Sequence, residues 1–249
     1  MLRLLTLFIV GFPCLLFSQD LNQLLKEAQQ QEALFHENEA FLKYAEILKM
    51  DPNNLFALWN CSDLSSRIGA RQLDKEKMRP YFYAARNYAS AALNVNPNSS
   101  DANCAMALAL GRVSLIAGSR ERVMLARDVK HYAVNAIRLD PNNFRAYHIL
   151  GRWNYEVSNL NVAERTIARL FYGKLPSATL GDAIYDFDKS RTINPGFILN
   201  YLELAHAYHR LDDDRKAIAY LNILLGLPNL IYDDARAKVI ARKLLTEWQ

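Results

Sequence analysis

HILGRWNYEVSNLNVAERTIARLFYGKLPSATLGDAIYDFDKSRTINPGF, residues 148–197, decides how the chain is read. Its two ends carry the halves of one helical hairpin. Between them Asn161 to Phe171 reads as an extra helix and Gly173 to Thr179 as a turn. The Thr179 hydroxyl is placed to cap the helix that follows. The rest of the chain reads as copies of this hairpin with shorter splits.

Four prolines set the register. Asp51-Pro52-Asn53, Asn96-Pro97-Asn98, Asp140-Pro141-Asn142 and Asn194-Pro195-Gly196 each end a helical pattern. Proline cannot continue a helix, and it turns the residue before it away from the α region. Ten positions past each proline stands a small residue: Ser62, Ala107, Gly151 and Ala205. Just before these come Cys61, Met106, Leu150 and Leu204, all apolar. Twelve positions before the prolines stand Ala40, Ala85, Val129 and Ala183, and eight before them Tyr44, Ala89, Ala133 and Phe187. Small residues let two backbones approach, and larger neighbours fill the space above and below. One supersecondary unit repeated in this way makes a solenoid.

The pattern resembles the tetratricopeptide repeat, which implies an all-α, right-handed solenoid of helical hairpins. The last copy fits best, with Tyr201, Leu204, Ala205 and Tyr208, then Ala217 and Leu221. Ala205 and Ala217 are a short step apart. Ser62 to Ala85, Ala107 to Val129 and Gly151 to Ala183 are longer steps, so three copies carry insertions. Five helix pairs are expected, with a final amphipathic helix from Ile231 to Trp248 covering the open end. Ala70 to Pro80 reads as a solvated loop or a helix extension, with Gly69 ending the helix before it. Asp20 and Asp101 are read as helix caps.

Apolar residues make up 51% of 249, ample for a core. The net charge of +4 comes without a basic block or arm, which argues against a nucleic-acid partner. Met1 to Ser18 reads as a secretory signal, with Arg3 opening an apolar run from Leu4 to Phe17. That run is shorter than the about 20 residues a spanning helix needs. Cleavage before Gln19 would leave one repeat domain over residues 19–249, exported to the periplasm or secreted. The alternatives are an uncleaved membrane anchor and a lipid-modified Cys14, the latter disfavoured by Pro13.

No catalytic, phosphate-binding or dinucleotide-binding motif occurs, so no enzyme and no cofactor are expected. His206 and His209 share a helix face but lack further metal ligands. Cys61 and Cys104 read as two small buried residues rather than a disulfide. Asp212-Asp213-Asp214 lacks the spacing of a calcium loop and suits a helix cap.

The first helices of such a stack line its concave face. Counting from the prolines, Phe56, Trp59, Asp63, Leu108, Arg152, Leu202 and His206 are among the residues expected there. Arg67, Arg112 and Arg210 share one repeat position farther along. Their guanidinium forks can grip phosphate or carboxylate; alternatively each ends its helix and meets the negative end of the dipole. The expected ligand contacts are Trp59, Leu108 and Leu202 for an apolar part, and Arg67, Arg112 and Arg152 for a charged head.

Gly151-Arg152-Trp153, Glu156-Val157, Asn159-Leu160, Pro176-Ser177-Ala178-Thr179 and Pro195-Gly196-Phe197 resemble the regulator of microtubule dynamics family. The resemblance runs from about Leu55 to Trp248. It implies a tetratricopeptide domain without enzyme activity, and roles in protein tethering and phospholipid binding. The signal-like start departs from the family and reads as that of an exported bacterial relative. Two functions follow as expectations. One is a binding scaffold of the cell envelope that holds a protein or peptide partner in its groove. The other is a module that binds or transfers an anionic phospholipid, with peripheral membrane association.

Overall fold

The computed structural model describes residues 12–172 and 177–248. The described residues form twelve α-helices and no strand. Residues 1–11 of the expected signal and part of the expected Gly173 to Thr179 turn lie outside them. Five antiparallel pairs stack in chain order: α1 (Phe12–Ala33) with α2 (Glu37–Met50), α3 (Leu55–Ala70) with α4 (Lys75–Val95), α5 (Ser100–Ser114) with α6 (Ser119–Leu139), α7 (Phe144–Ser158) with α9 (Leu180–Ile193), and α10 (Ile198–His209) with α11 (Asp214–Gly226). The inserted α8 (Val162–Tyr172) packs on α6. The last helix, α12 (Asp234–Trp248), covers α10 and α11. This is the expected tetratricopeptide-like solenoid, with its inserted helix and its terminal cover.

The proline motifs build the joints. At each one the residue before proline closes its helix through a backbone N–H to the carbonyl four residues back. Its side-chain Oδ1 then accepts the N–H two residues on: Asn53 to Asp51, Asn98 to Asn96, Asn142 to Asp140 and Gly196 to Asn194, at 2.9–3.3 Å. Such a side-chain turn mimics a backbone turn and fixes the exit direction. Asn54, Ser99 and Asn143 then cap the following helices by accepting from Ala57, Ala102 and Ala146. Asp101 is thus one residue inside its helix rather than its cap. Asp20 likewise lies within α1, which runs unbroken from Phe12 through Ser18 and Gln19.

The register holds in the packing. Ser62, Ala107 and Ala205 are fully buried, as are Tyr44, Ala89, Ala133 and Phe187 on the second helices. Gly151 shows why one position must be small: a Cβ there would stand 2.6 Å from the Phe187 ring. Gly69 plays the same part in α3, where a Cβ would meet Tyr81 at 2.7 Å. The reading of Gly69 as a helix end is therefore corrected; it is a contact point inside the helix. The polar insertion after it is mostly the start of α4, capped by Asp74 with Pro80 inside the helix.

The split pair is tied by buried polar contacts. Asn154 of α7 donates to Asp186 of α9 at 2.8 Å, both buried. Burial pushes the Asp186 carboxyl up to about 6, against the lowering effect of the Asn154 bond. Thr179 and Asp182 form a reciprocal cap at the start of α9.

Two outcomes follow. Gly151→Leu forces apart α7 and α9 and should destabilise by about 1–3 kcal/mol, read from denaturant midpoints; an unchanged midpoint would put Gly151 outside the interface. Because folded Asp186 holds its proton more tightly than the unfolded chain does, its contribution to stability is lost as pH rises to about 6 and beyond. Asp186→Asn should therefore raise the melting temperature at about pH 7.5, worth about 1–3 kcal/mol, and change little near pH 4. A fall at both pH values would show that the carboxyl group makes a contact an amide cannot replace.

Candidate functional site

The first helices of the pairs, α3, α5, α7 and α10, pack on one another in turn, which in a stack of this kind makes them its concave wall; the loop before α12 meets this wall through Asp233. The wall's charges are largely paired within the chain. Arg67, expected as a ligand contact, is instead surrounded by carboxylates. Its Nη2 donates to Glu32 of α1 at 3.0 Å, while Nη1 lies 2.7 Å from Glu37 of α2 and Nε 3.1 Å from Asp63. Burial works against its charge, but Asp63, Glu37 and Glu32 more than offset this and hold the guanidinium above its ordinary range. Glu32 also accepts the Tyr44 hydroxyl at 2.8 Å. Arg67 is thus a structural strut across the first three helices.

Arg152 of α7 is also engaged. It donates to Glu203 of α10 at 2.6 Å and to Glu156 at 3.2 Å. Arg210 donates to the Tyr155 carbonyl and the Ser158 hydroxyl at the end of α7. That matches the helix-end alternative, although the helix end it meets belongs to a neighbour.

Arg112 is different. Among the described residues it makes no hydrogen bond and no ion pair, and its Nε is sealed from solvent without a partner. Its two terminal nitrogens keep some contact with solvent. Burial and the nearby Arg152 weaken its hold on its proton, while Asp233, Asp63 and Glu203 act in the other direction. The two histidines beside this set are held towards neutrality. Burial pushes His148 down to about 4. Because Asn200 Nδ2 donates to the Phe187 carbonyl, its Oδ1 is left to accept from His148 Nδ1, at 3.1 Å. His206 is lowered by burial as well and meets the Trp248 ring edge-on.

Of the apolar contacts, Trp59 and Leu108 are half-buried against the central core, and Trp59 meets Phe56 edge-on at 5.1 Å. Leu202 does not join them. It is buried in the cluster shared by α10, α11 and α12, which leaves it little surface for a ligand. Two hollows of about 400 and 450 Å³ lie elsewhere, one lined by Lys130, His131, Arg138 and Trp153 and the other by Leu58, Asn87 and Tyr88.

Cys61 and Cys104 are free, buried thiols as expected. Asp213 caps α11 by accepting from Lys216. His209 stacks on Trp248 and pairs with Asp214. No cluster of three or more metal-ligating side chains occurs among the described residues.

One feature of the wall has no trace in the sequence pattern. Arg71, in the insertion read as a solvated loop or a helix extension, binds Glu37 through Nη2 and donates from Nη1 to Asp233 at 3.1 Å. Its guanidinium lies 4.6 Å from the centre of the Tyr232 ring. Arg71 and Asp233 are 162 residues apart in the chain, so no local spacing could signal their meeting.

If Arg67 is a strut, Arg67→Met should cost about 3 kcal/mol by stranding carboxylates that are largely buried. A urea titration decides this: an unchanged midpoint would free Arg67 for the ligand role expected from the sequence.

A family profile described as Regulator of microtubule dynamics protein 1-3 matches residues 20–249. The chain is 28% identical over 189 residues to Regulator of microtubule dynamics protein 3 of Xenopus laevis, covering 76% of this chain and 41% of that protein. It is 28% identical over 185 residues to Regulator of microtubule dynamics protein 1 of Caenorhabditis elegans, covering 74% and 80%. The chain thus spans about two fifths of the length of the frog relative. A thermophilic TPR protein from Thermus thermophilus shares the fold with a TM-score of 0.66 at 14% identity, covering 91% of this chain and 99% of its own. PilF of Pseudomonas aeruginosa shares it at 0.55 and 12%, covering 93% and 90%. The animal relatives correct the expectation of export to the periplasm or outside the cell. They are named for microtubule dynamics, and microtubules are polymers of the compartment that an exported chain leaves. No helix among the described residues is long and apolar enough to cross a membrane. The chain belongs to the Regulator of microtubule dynamics protein 1-3 family.

Proposed function

We propose that the chain is a non-enzymatic scaffold that binds a protein partner on its concave wall, and that this partner belongs to the microtubule machinery. The observation that carries the reading is the composition of the wall. Among the described residues of the wall helices, Arg112 and the exposed Arg145 have no hydrogen bond or ion pair; Leu108 stands one turn before Arg112 on α5, and Trp59 lies half-buried on α3. Glu156, although it pairs with Arg152, keeps a largely exposed carboxylate. A polypeptide carries apolar, acidic and basic groups together and can use all of these. The family name directs the choice of partner. An anionic lipid would need several free arginines beside a continuous apolar surface. Arg67 and Arg152 already have carboxylate partners and Leu202 is packed into the core, so the protein reading is preferred.

Co-sedimentation with polymerised tubulin tests this. The purified chain should pellet with the polymer. Arg112→Glu should weaken binding about tenfold, as expected for the loss of a charged hydrogen bond. Arg138→Glu, on the outward side of α6, should leave it unchanged. Failure to pellet overturns the microtubule reading, and an effect confined to Arg138→Glu would move the binding face to the outer side.

A further inference from the structure

We infer that Arg71 is a clasp that holds the two ends of the solenoid together, and that its release from the Tyr232–Asp233 segment opens the concave wall. The inference rests on the reading of that wall as the binding face, and it concerns how access to the wall is controlled. Among the described residues, no helix of α1 to α4 packs on α10, α11 or α12. The hydrogen bond, ion pair and ring contact that join these ends, again among the described residues, all belong to Arg71.

The two halves of the clasp are built differently. On one side Glu37, which is 4% exposed at the start of α2, anchors the Arg71 guanidinium, and Arg67 anchors Glu37 in turn. That half stays in place when Asp233 leaves. On the other side Asp233 sits on the short connection between α11 and α12. The shape of that connection is kept from within by Asp234, which accepts from the backbone N–H groups of Leu230 at 2.7 Å and Ile231 at 2.9 Å. Release of Asp233 therefore costs neither side its local fold. What changes is curvature, because each hairpin of a solenoid packs on its neighbours and small rotations add along the stack.

The clasp is also coupled to the wall. Asp233 is one of the carboxylates whose field acts on Arg112. When Asp233 swings away, Arg112 loses a counter-charge and is more available to an acidic group of a partner. The Arg71 and Asp233 side chains remain about one fifth exposed, at 20% and 19%, so salt reaches the pair.

The test is a distance measurement by double electron–electron resonance. Spin labels go on Leu73→Cys, beside the clasp in an exposed turn, and on Val239→Cys of α12, also exposed. Cys14→Ser removes one competing thiol, and Cys61 and Cys104 are buried. The parent should show one narrow distance population. Asp233→Asn, which leaves the Arg71–Glu37 contact intact, should broaden the population and lengthen it, with helical circular dichroism unchanged. Arg71→Gln should do the same, and about 1 M salt should shift the parent in that direction. Identical distributions in the parent and Asp233→Asn would overturn the clasp. An opened Asp233→Asn that pellets with tubulin several-fold more strongly than the parent supports control of access; equal pelleting overturns that control. A chain with the narrow closed distance that never pellets leaves the clasp standing and removes the tubulin reading alone.

Discussion

Four side-chain turns carry the architecture. Asp51, Asn96, Asp140 and Asn194 each stop a helix before a proline and fold their Oδ1 back onto the N–H two residues on. Each turn sets where the next helix begins, and so which residues face the previous pair. Ser62, Ala107, Gly151 and Ala205 are brought by this spacing to the crossing points of neighbouring helices, where all are buried. The stack then tolerates insertions between its helices, because they leave the joints untouched. The α8 insertion shows this: α7 and α9 still form a pair, with Gly151 against Phe187 and Asn154 on Asp186.

Local chemistry was legible for the same reason. Thr179, Asp213 and the small residues act within a few positions of chain or through a repeated register, so their spacing reports their role. Gly69 was misread because a glycine near a helix end serves equally as a terminator or as a contact point, and only Tyr81 and Phe82 across the pair decide. Arg67 and Arg112 share a repeat position, yet one meets three carboxylates and the other none. Position along the repeat placed both on the wall; two of the three carboxylates on Arg67 come from other helices, α1 and α2, which the position of Arg67 in its own repeat does not report. Arg71 and Asp233 were beyond reach, since their meeting depends on the summed curvature of the whole stack.

The concave wall is economical with charge. Carboxylates from α1, α2, α3 and α10 neutralise Arg67, Arg71 and Arg152, and burial keeps His148 towards its neutral form. A wall arranged in this way loses little by closing, because few groups are left unsatisfied. Arg112 departs from that economy. Its Nε is buried without a partner, although Asp63, Asp233 and Glu203 are near enough to influence it. Groups left unsatisfied in an otherwise paired surface mark where outside contacts gain most.

The central claim is that the inner helices, rather than the outer ones, meet the partner. Hydrogen–deuterium exchange of the chain, alone and with polymerised tubulin, tests it most directly. Added protection is predicted along α5 and α7 around Leu108, Arg112 and Arg152, with α4, α6 and α9 unchanged. Protection confined to α6 and α9, or none at all with a saturating amount of polymer, would contradict it.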